Sequence, residues 1–213
     1  MNLKKLVTAA VCTMLMAAVA FTAGCGGEKK SDKKVLKVGM ECAYAPYNWS
    51  QTKADGGAVK IAGSNEYAYG YDVMMAKKLA DSMGADLEIH KIEWDGLAPA
   101  VVSGKIDAAI AGMSITSKRK ETVDFTKPYY YATVVALVKK DSEQAKAQSV
   151  ADLKGSVATS QLNTIWYDQI DQVPDVKKLP AIDTVPGMIV ALTSGKCNLI
   201  VTDIPTAKAA AFA

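Results

Sequence analysis

Two stretches of the chain share one pattern. Leu97 to Met113 (LAPAVVSGKIDAAIAGM) and Met188 to Ile204 (MIVALTSGKCNLIVTDI) each read as an apolar helix, a glycine stop, a short buried strand and a loop. Aligning Ser103-Gly104-Lys105 with Ser194-Gly195-Lys196 sets Gly112 opposite Asp203. A helix that feeds a buried strand, twice over, directs the chain to an α/β architecture in which parallel sheets are covered by helices. Every βαβ unit has this outline, so the Ser-Gly-Lys match is compatible with chance. It is also what two similar lobes facing a common cleft would show.

The loop after the first of these strands carries the chemistry. Ala108-Ala109-Ile110-Ala111 stops at Gly112, and Ser114, Thr116, Ser117 and Arg119 follow. Small hydroxyl residues and one guanidinium just past a strand's C-terminal end suit anion capture, since ligands of open α/β sheets sit there. Arg presents a planar fork to a carboxylate, and backbone N–H groups beside Gly112 would add to it. The other reading of Lys118-Arg119-Lys120 is a solvated basic turn. In the second copy the equivalent loop offers an anion, Asp203. A cation from one lobe and an anion from the other match a free amino acid, whose carboxylate and ammonium both need counter-charges once buried. Arg119 with Ser114 would serve the first and Asp203 the second. Trp94 and Tyr44, each just beyond a strand end, would wall the side-chain pocket or belong to the ordinary core.

Around these copies the alternation continues. Val35 to Met40 reads as a strand and leads into an aromatic loop, Glu41 to Trp49. Trp49 to Tyr69 is polar and Gly-rich and is expected to be a long surface excursion. Apolar residues at helical spacing run from Tyr71 to Met83, with Gly84 as the stop. Leu87 to Ile92 is a second strand, Leu97 to Ser103 a helix, and Ile106 to Ala111 a third strand.

Residues 1–24 stand apart. Lys4 and Lys5 precede an uncharged apolar run from Leu6 to Ala23, the form of a secretory signal. Ala23-Gly24-Cys25 resembles the lipobox of bacterial lipoproteins, with Thr22 where Leu is usual, so Cys25 is expected to carry lipid; residues 25–34 form a charged tether. Lys and Arg number 25 against 22 Asp and Glu, and removal of Lys4 and Lys5 leaves 23 against 22. That near-balance argues against a nucleic-acid partner. Cys42 and Cys197 are then the remaining thiols and are expected to stay unpaired. No pair of cysteines has metal-ligand spacing and His90 is the single histidine, so neither a metal nor another cofactor is expected.

Successive segments resemble one family: Tyr44-Ala45-Pro46-Tyr47, Gly70-Tyr71-Asp72-Val73, Trp94 to Ala100, and Ala111 to Thr116 running on to Arg119. Val123-Asp124-Phe125-Thr126, Pro128-Tyr129-Tyr130, Leu153-Lys154-Gly155 and Gln161-Leu162-Asn163-Thr164 continue the series. They are similar to the polar-amino-acid solute-binding proteins of ABC importers. The resemblance implies a two-lobed α/β fold of the periplasmic-binding-protein type (type II): lobe I at 35–132, lobe II at 133–206, and a hinge near Tyr131 to Ala136. It implies a ligand cage of Arg119, Gly112 and Ser114 from one lobe and Asp203 and Thr164 from the other. Tyr44 and Trp94 would sandwich the side chain, with Glu41 at its tip, leaning the choice toward arginine, lysine or histidine. Asn163 stands where the family usually has Gly, which leaves that loop's backbone geometry open. The expected partners are the amino acid, an ABC permease and, through lipid, the outer face of the cytoplasmic membrane; a monomer is expected. An enzyme on the same fold, a dehydratase acting on a prephenate-like acid with Glu41 as acid–base group, is the alternative, as is a sensor-type ligand-binding module. The family's chain returns to the first lobe after the Asp203 position. Residues 207–213 are expected to begin that return, leaving the first lobe incomplete.

Overall fold

Leu36, Val38 and Met40 alternate inward along β1 (Val35–Met40), and all three are buried. Each such side chain contributes about 1.5–3 kcal/mol by leaving water. The structure, a computed structural model, describes residues 34–211. The signal segment, Cys25 and the tether as far as Lys33 lie outside the described residues, as do 212 and 213.

After β1 come β2 (Ala43–Tyr44), β3 (Asn48–Gln51), β4 (Val59–Lys60) and β5 (Tyr67–Tyr69), then the helix α1 (Tyr71–Met83). The next elements are β6 (Asp86–Lys91), α2 (Leu97–Val102), β7 (Ala108–Ala109) and the single turn α3 (Ser117–Lys120). β1 lies between β6 and β7 and is parallel to both. The chain then enters a second sheet through β8 (Val134–Leu137). β9 (Val157–Thr159), α4 (Ile165–Gln169), β10 (Lys177–Lys178), α5 (Val185–Thr193), β11 (Leu199–Asp203) and α6 (Ile204–Ala211) complete it. Its strand order is β10-β9-β11-β8, with β8 antiparallel on the edge and the other pairs parallel. All five residues of β11 are buried, as a central strand covered on both faces requires.

The two halves of the repeat therefore fold as predicted, one into each sheet. In both, the helix ends at a glycine in the left-handed region, Gly104 (φ 72) and Gly195 (φ 80). That conformation costs a residue with a Cβ about 1–2 kcal/mol. The first sheet packs through Leu36, Val38, Met40, Ile89 and Leu97. The second has cores on its two sides, one around Met188, Leu192 and Ile200, the other around Trp166, Ile170 and Leu199.

Two expectations need correction. The segment from Trp49 to Tyr69 is not a free surface excursion: it supplies most of β3, all of β4 and β5, and with β2 before it they form an antiparallel sheet in the order β2-β3-β5-β4, with Trp49 opposite Tyr69 and their rings edge to face at 5.0 Å. The predicted strand from Ile106 to Ala111 shrinks to Ala108–Ala109. Ile110 N–H still reaches the Gly39 carbonyl at 3.1 Å, and the chain then turns away at Gly112. Among the described residues no helix is long and apolar enough to cross a membrane.

Candidate functional site

The C-terminal ends of four parallel strands point at one place: β1 leads to Glu41, β7 to the Gly112 loop, β9 to Gln161-Leu162-Asn163-Thr164, and β11 ends on Asp203. Six of the eight predicted site residues, Tyr44, Trp94, Gly112, Ser114, Arg119 and Thr164, line a single cavity there together with Gln161 and Trp166. Glu41 and Asp203 adjoin it through Gln161 and Tyr44. The free volume among them is about 10 Å³, room for roughly one water.

Arg119 owes its position to α3. Thr116 caps this turn, its hydroxyl accepting the Arg119 N–H at 3.2 Å. The same turn sends Lys118 and Lys120 to solvent and leaves Arg119 half-buried, so the basic tripeptide divides between surface and cleft. Arg119 Nη1 donates to the Ser114 carbonyl and Nη2 to the Asn163 carbonyl, each at 2.7 Å. The second bond joins the two lobes. The guanidinium carbon lies 5.3 Å from the centre of the Trp94 ring, within cation–π range. Burial lowers the Arg119 pKa from its ordinary value, yet a guanidinium remains protonated in proteins.

Asp203 is fully buried at the end of β11. One carboxylate oxygen accepts the Thr206 N–H at 2.9 Å and so ties down the start of α6. The other accepts the hydroxyl of Tyr44 from the opposite lobe. Tyr44 stacks on Tyr47 with ring centres 4.7 Å apart. Burial, with the charge of Asp203 beside it, pushes the Tyr44 hydroxyl far up, so it stays a donor.

Glu41 is 3% exposed, and Gln161 Nε2 reaches across the cleft to both of its oxygens at 3.1 Å. The same amide nitrogen lies 3.0 Å from the Asp183 carbonyl. Burial raises the Glu41 carboxyl to about 7; the Gln161 bond opposes this, and the charges of Glu93 and Asp95 add to it. Next to this end of the cleft lies an open cavity of about 260 Å³ lined by Glu93, Trp94, Asp95, Leu162 and Asp183. An apolar hollow of about 270 Å³, lined in part by Met113, Ile115, Phe125 and Tyr130, adjoins the site at Tyr44 and Gly112.

Three details add to the sequence reading. The Gly112 N–H, expected to face a ligand, donates to the Tyr129 hydroxyl at 2.9 Å. What Gly112 gives the cleft is space, because a Cβ there would sit 2.9 Å from the Tyr44 ring, and Gly112 holds φ 61. Asn163 keeps the left-handed turn that the family's Gly would make (φ 54), and its amide donates to Asp95 Oδ1 at 2.9 Å. Thr164 caps α4, donating to the Gln161 carbonyl at 2.7 Å and accepting the Tyr167 N–H at 3.4 Å.

Sequence reasoning overlooked Gln161, Trp166 and the trio Asn48, Asp72 and Tyr129. Gln161 was detectable as the first residue with a long polar side chain after a buried strand, the position that drew attention to Ser114. Among the described residues no group of three or more His, Cys, Asp or Glu side chains is arranged to hold a metal.

The chain resembles known proteins in sequence and fold. A model of the bacterial extracellular solute-binding proteins, family 3, matches residues 36–178. The chain is 31% identical over 173 residues to a probable histidine-binding protein of Campylobacter jejuni, covering 81% of this chain and 61% of that protein. It is 30% identical over 202 residues to ABC transporter arginine-binding protein 1 of Escherichia coli K12, covering 94% and 72%. A solved structure of an ancestral amino acid-binding protein, a precursor of cyclohexadienyl dehydratase, superposes with a TM-score of 0.71 at 32% identity, over 84% of this chain and 74% of that one. The chain thus spans about three fifths of the length of the C. jejuni protein.

Proposed function

The chain belongs to the bacterial extracellular solute-binding proteins, family 3, and on that premise we propose that it captures a free amino acid with a basic side chain between its lobes and delivers it to the permease of an ABC importer. The observation that carries this reading is that Arg119 lines the cavity between the lobes while Asp203, at the end of β11, is bonded to Tyr44, which lines the same cavity. Burying a carboxylate or an ammonium without a counter-charge costs several kcal/mol, and this cleft offers one partner to each. In the proposed complex Arg119 takes the carboxylate with Ser114. Asp203 takes the ammonium, the Tyr44 hydroxyl yielding its place, and Thr164 closes the cage. Tyr44 and Trp94 flank the side chain, whose cationic tip meets Glu41 with Glu93, Asp95 and Asp183 nearby. The E. coli relative's name, arginine-binding, and the C. jejuni relative's, probable histidine-binding, support the basic preference.

The same proposal takes 35–132 and 133–206 as the lobes, Cys25 as a lipid anchor at the outer face of the cytoplasmic membrane, and a monomer as the working unit. Titration calorimetry against the common amino acids tests the binding reading. Arginine, lysine or histidine should bind tightest; a preference of about tenfold for glutamine over arginine and lysine, whose amide a carboxylate also accepts, would reject the charge argument. Cys25→Ser should release the protein from membrane fractions.

One observation favours a second reading. A carboxyl near pH 7 beside a closed cleft, as Glu41 is, also suits acid–base catalysis, and the ancestral neighbour is a dehydratase precursor. Turnover of a prephenate-like acid by wild type, lost in Glu41→Gln, would move the assignment to an enzyme.

A further inference from the structure

Behind the cleft runs a line of buried polar groups that the ligand reading does not use. The Cys42 N–H donates to Asn48 Oδ1 at 2.7 Å, and Asn48 Nδ2 donates to Asp72 Oδ2 at 2.7 Å. The Tyr129 hydroxyl donates to Asp72 Oδ1 at 2.7 Å and accepts the Gly112 N–H at 2.9 Å. Asn48 and Asp72 are fully buried. Among the described residues no Lys or Arg forms an ion pair with Asp72, and its carboxylate is held by Asn48 and Tyr129 instead.

The sense of every bond in this line is dictated by the one before it. The Cys42 N–H fixes the Asn48 amide with its oxygen toward Cys42, so its NH₂ must face Asp72. An ionised Asp72 only accepts, so Tyr129 must turn its O–H toward it. The lone pairs of Tyr129 are then left for the Gly112 N–H. One end of the line is Cys42, held at φ 56 directly after Glu41. The other end is Gly112, two residues before the Ser114 carbonyl that receives Arg119 Nη1.

Resting on the proposed function, we infer that Asn48, Asp72 and Tyr129 are positioning residues of the binding site: they set the Gly112–Ser114 loop, and through it Arg119, in a fixed register with the Glu41–Cys42 turn. The network lies wholly within the first lobe, so it keeps that register whether the lobes are open or closed. A partly satisfied buried network is worse than none, which makes the bond polarity testable.

The experiment uses the full chain and three variants: Tyr129→Phe, Asp72→Asn, and a double variant that combines Asn48→Asp with Asp72→Asn. The amide that Asp72→Asn introduces must turn its NH₂ either against the NH₂ of Asn48, which cannot flip without losing Cys42, or against Tyr129, whose O–H then loses its acceptor, so one bond is lost either way. In the double variant the carboxylate now at position 48 accepts from both the Cys42 N–H and the amide now at position 72. The oxygen of that amide accepts from Tyr129, so every bond is restored with the charge moved one position. Amide exchange of Gly112 is read by NMR in the ligand-free protein, beside calorimetric titration with L-arginine and a thermal melt. Loss of one such bond is expected to speed Gly112 exchange and weaken arginine about tenfold in both single variants, with the double variant within about threefold of wild type. Unchanged Gly112 protection in Tyr129→Phe, or a double variant no better than Asp72→Asn in binding or folding, would overturn the inference. If wild type fails to bind arginine, the functional reading loses its support, while Gly112 exchange still decides the network.

Discussion

If Glu41 meets the cationic tip of the ligand, as proposed, affinity should follow the acidity of the medium. The Glu41 carboxyl is pushed to about 7, first by burial and then by Glu93 and Asp95, against the pull of Gln161. A cationic ligand tip needs the carboxylate, so it must bind the ionised form or expel the proton. With a pKa near 7, roughly one protein in ten is ionised at about pH 6 and roughly nine in ten at about pH 8. Arginine should therefore bind about tenfold more weakly at about pH 6 than at about pH 8, a difference of about 1.4 kcal/mol at most. Near pH 7 about half a proton should leave per arginine bound, visible as a dependence of the calorimetric heat on the ionisation enthalpy of the buffer. Glu41→Gln should flatten the pH profile and remove the proton release while leaving the carboxylate and ammonium contacts in place. For folding the sign is that of a raised acid: the Glu41 contribution to stability is full below about pH 4.5 and fades as pH rises through 7. Arginine affinity that stays constant across that range, with no proton released, would refute the reasoning.

Arg119→Ala and Asp203→Ala should each weaken the amino acid by about 2–5 kcal/mol, because each leaves a ligand charge buried without its partner; calorimetry alongside a melt separates lost binding from lost folding. Gly112→Ala should cost at least about 1–2 kcal/mol, since the residue holds φ 61 and its new Cβ would meet the Tyr44 ring at 2.9 Å; a wild-type melt and wild-type affinity would contradict this. Cys42 and Cys197 are both free and both 2% exposed, and burial raises the Cys42 thiol to about 12. Both should resist alkylation in the native protein and react only on unfolding, and mass spectrometry should find no bridge between them.

Much of the site was legible in the sequence because strand ends are. Gly112, Ser114 and Asp203 follow or end short apolar runs, and the sheet topology alone carries such residues to a common edge. Arg119 was ambiguous until the Thr116 cap set the phase of its turn and parted it from Lys118 and Lys120. The antiparallel sheet from Ala43 to Tyr69 escaped notice because strands of two to four residues are too short to show alternation, and Gly56-Gly57 and Gly63 between them look like open loop. Asp72 reads as an ordinary acidic residue in the first turn of a helix; only the approach of Asn48 and Tyr129, from 24 and 57 residues away, makes it part of a buried network. The bond between Tyr44 and Asp203 spans 159 residues and two lobes, a juxtaposition that no local pattern encodes. The bond from the Gly112 N–H to the Tyr129 hydroxyl joins residues 17 apart, and neither local sequence announces it.

The contacts across the cleft also bear on rates. Tyr44 with Asp203, Gln161 with Glu41, Arg119 with the Asn163 carbonyl and Asn163 with Asp95 hold the lobes together around a space of about 10 Å³. On the proposed function, an amino acid would need more room than this. The lobes must part first, a motion of the microsecond-to-millisecond class, and capture then waits on it. At low ligand concentration the observed association rate rises in proportion to concentration; at high concentration it levels off at the opening rate, whichever amino acid is offered. Selectivity among ligands would then reside in how long each stays, while the speed of capture would be set by the opening of the lobes.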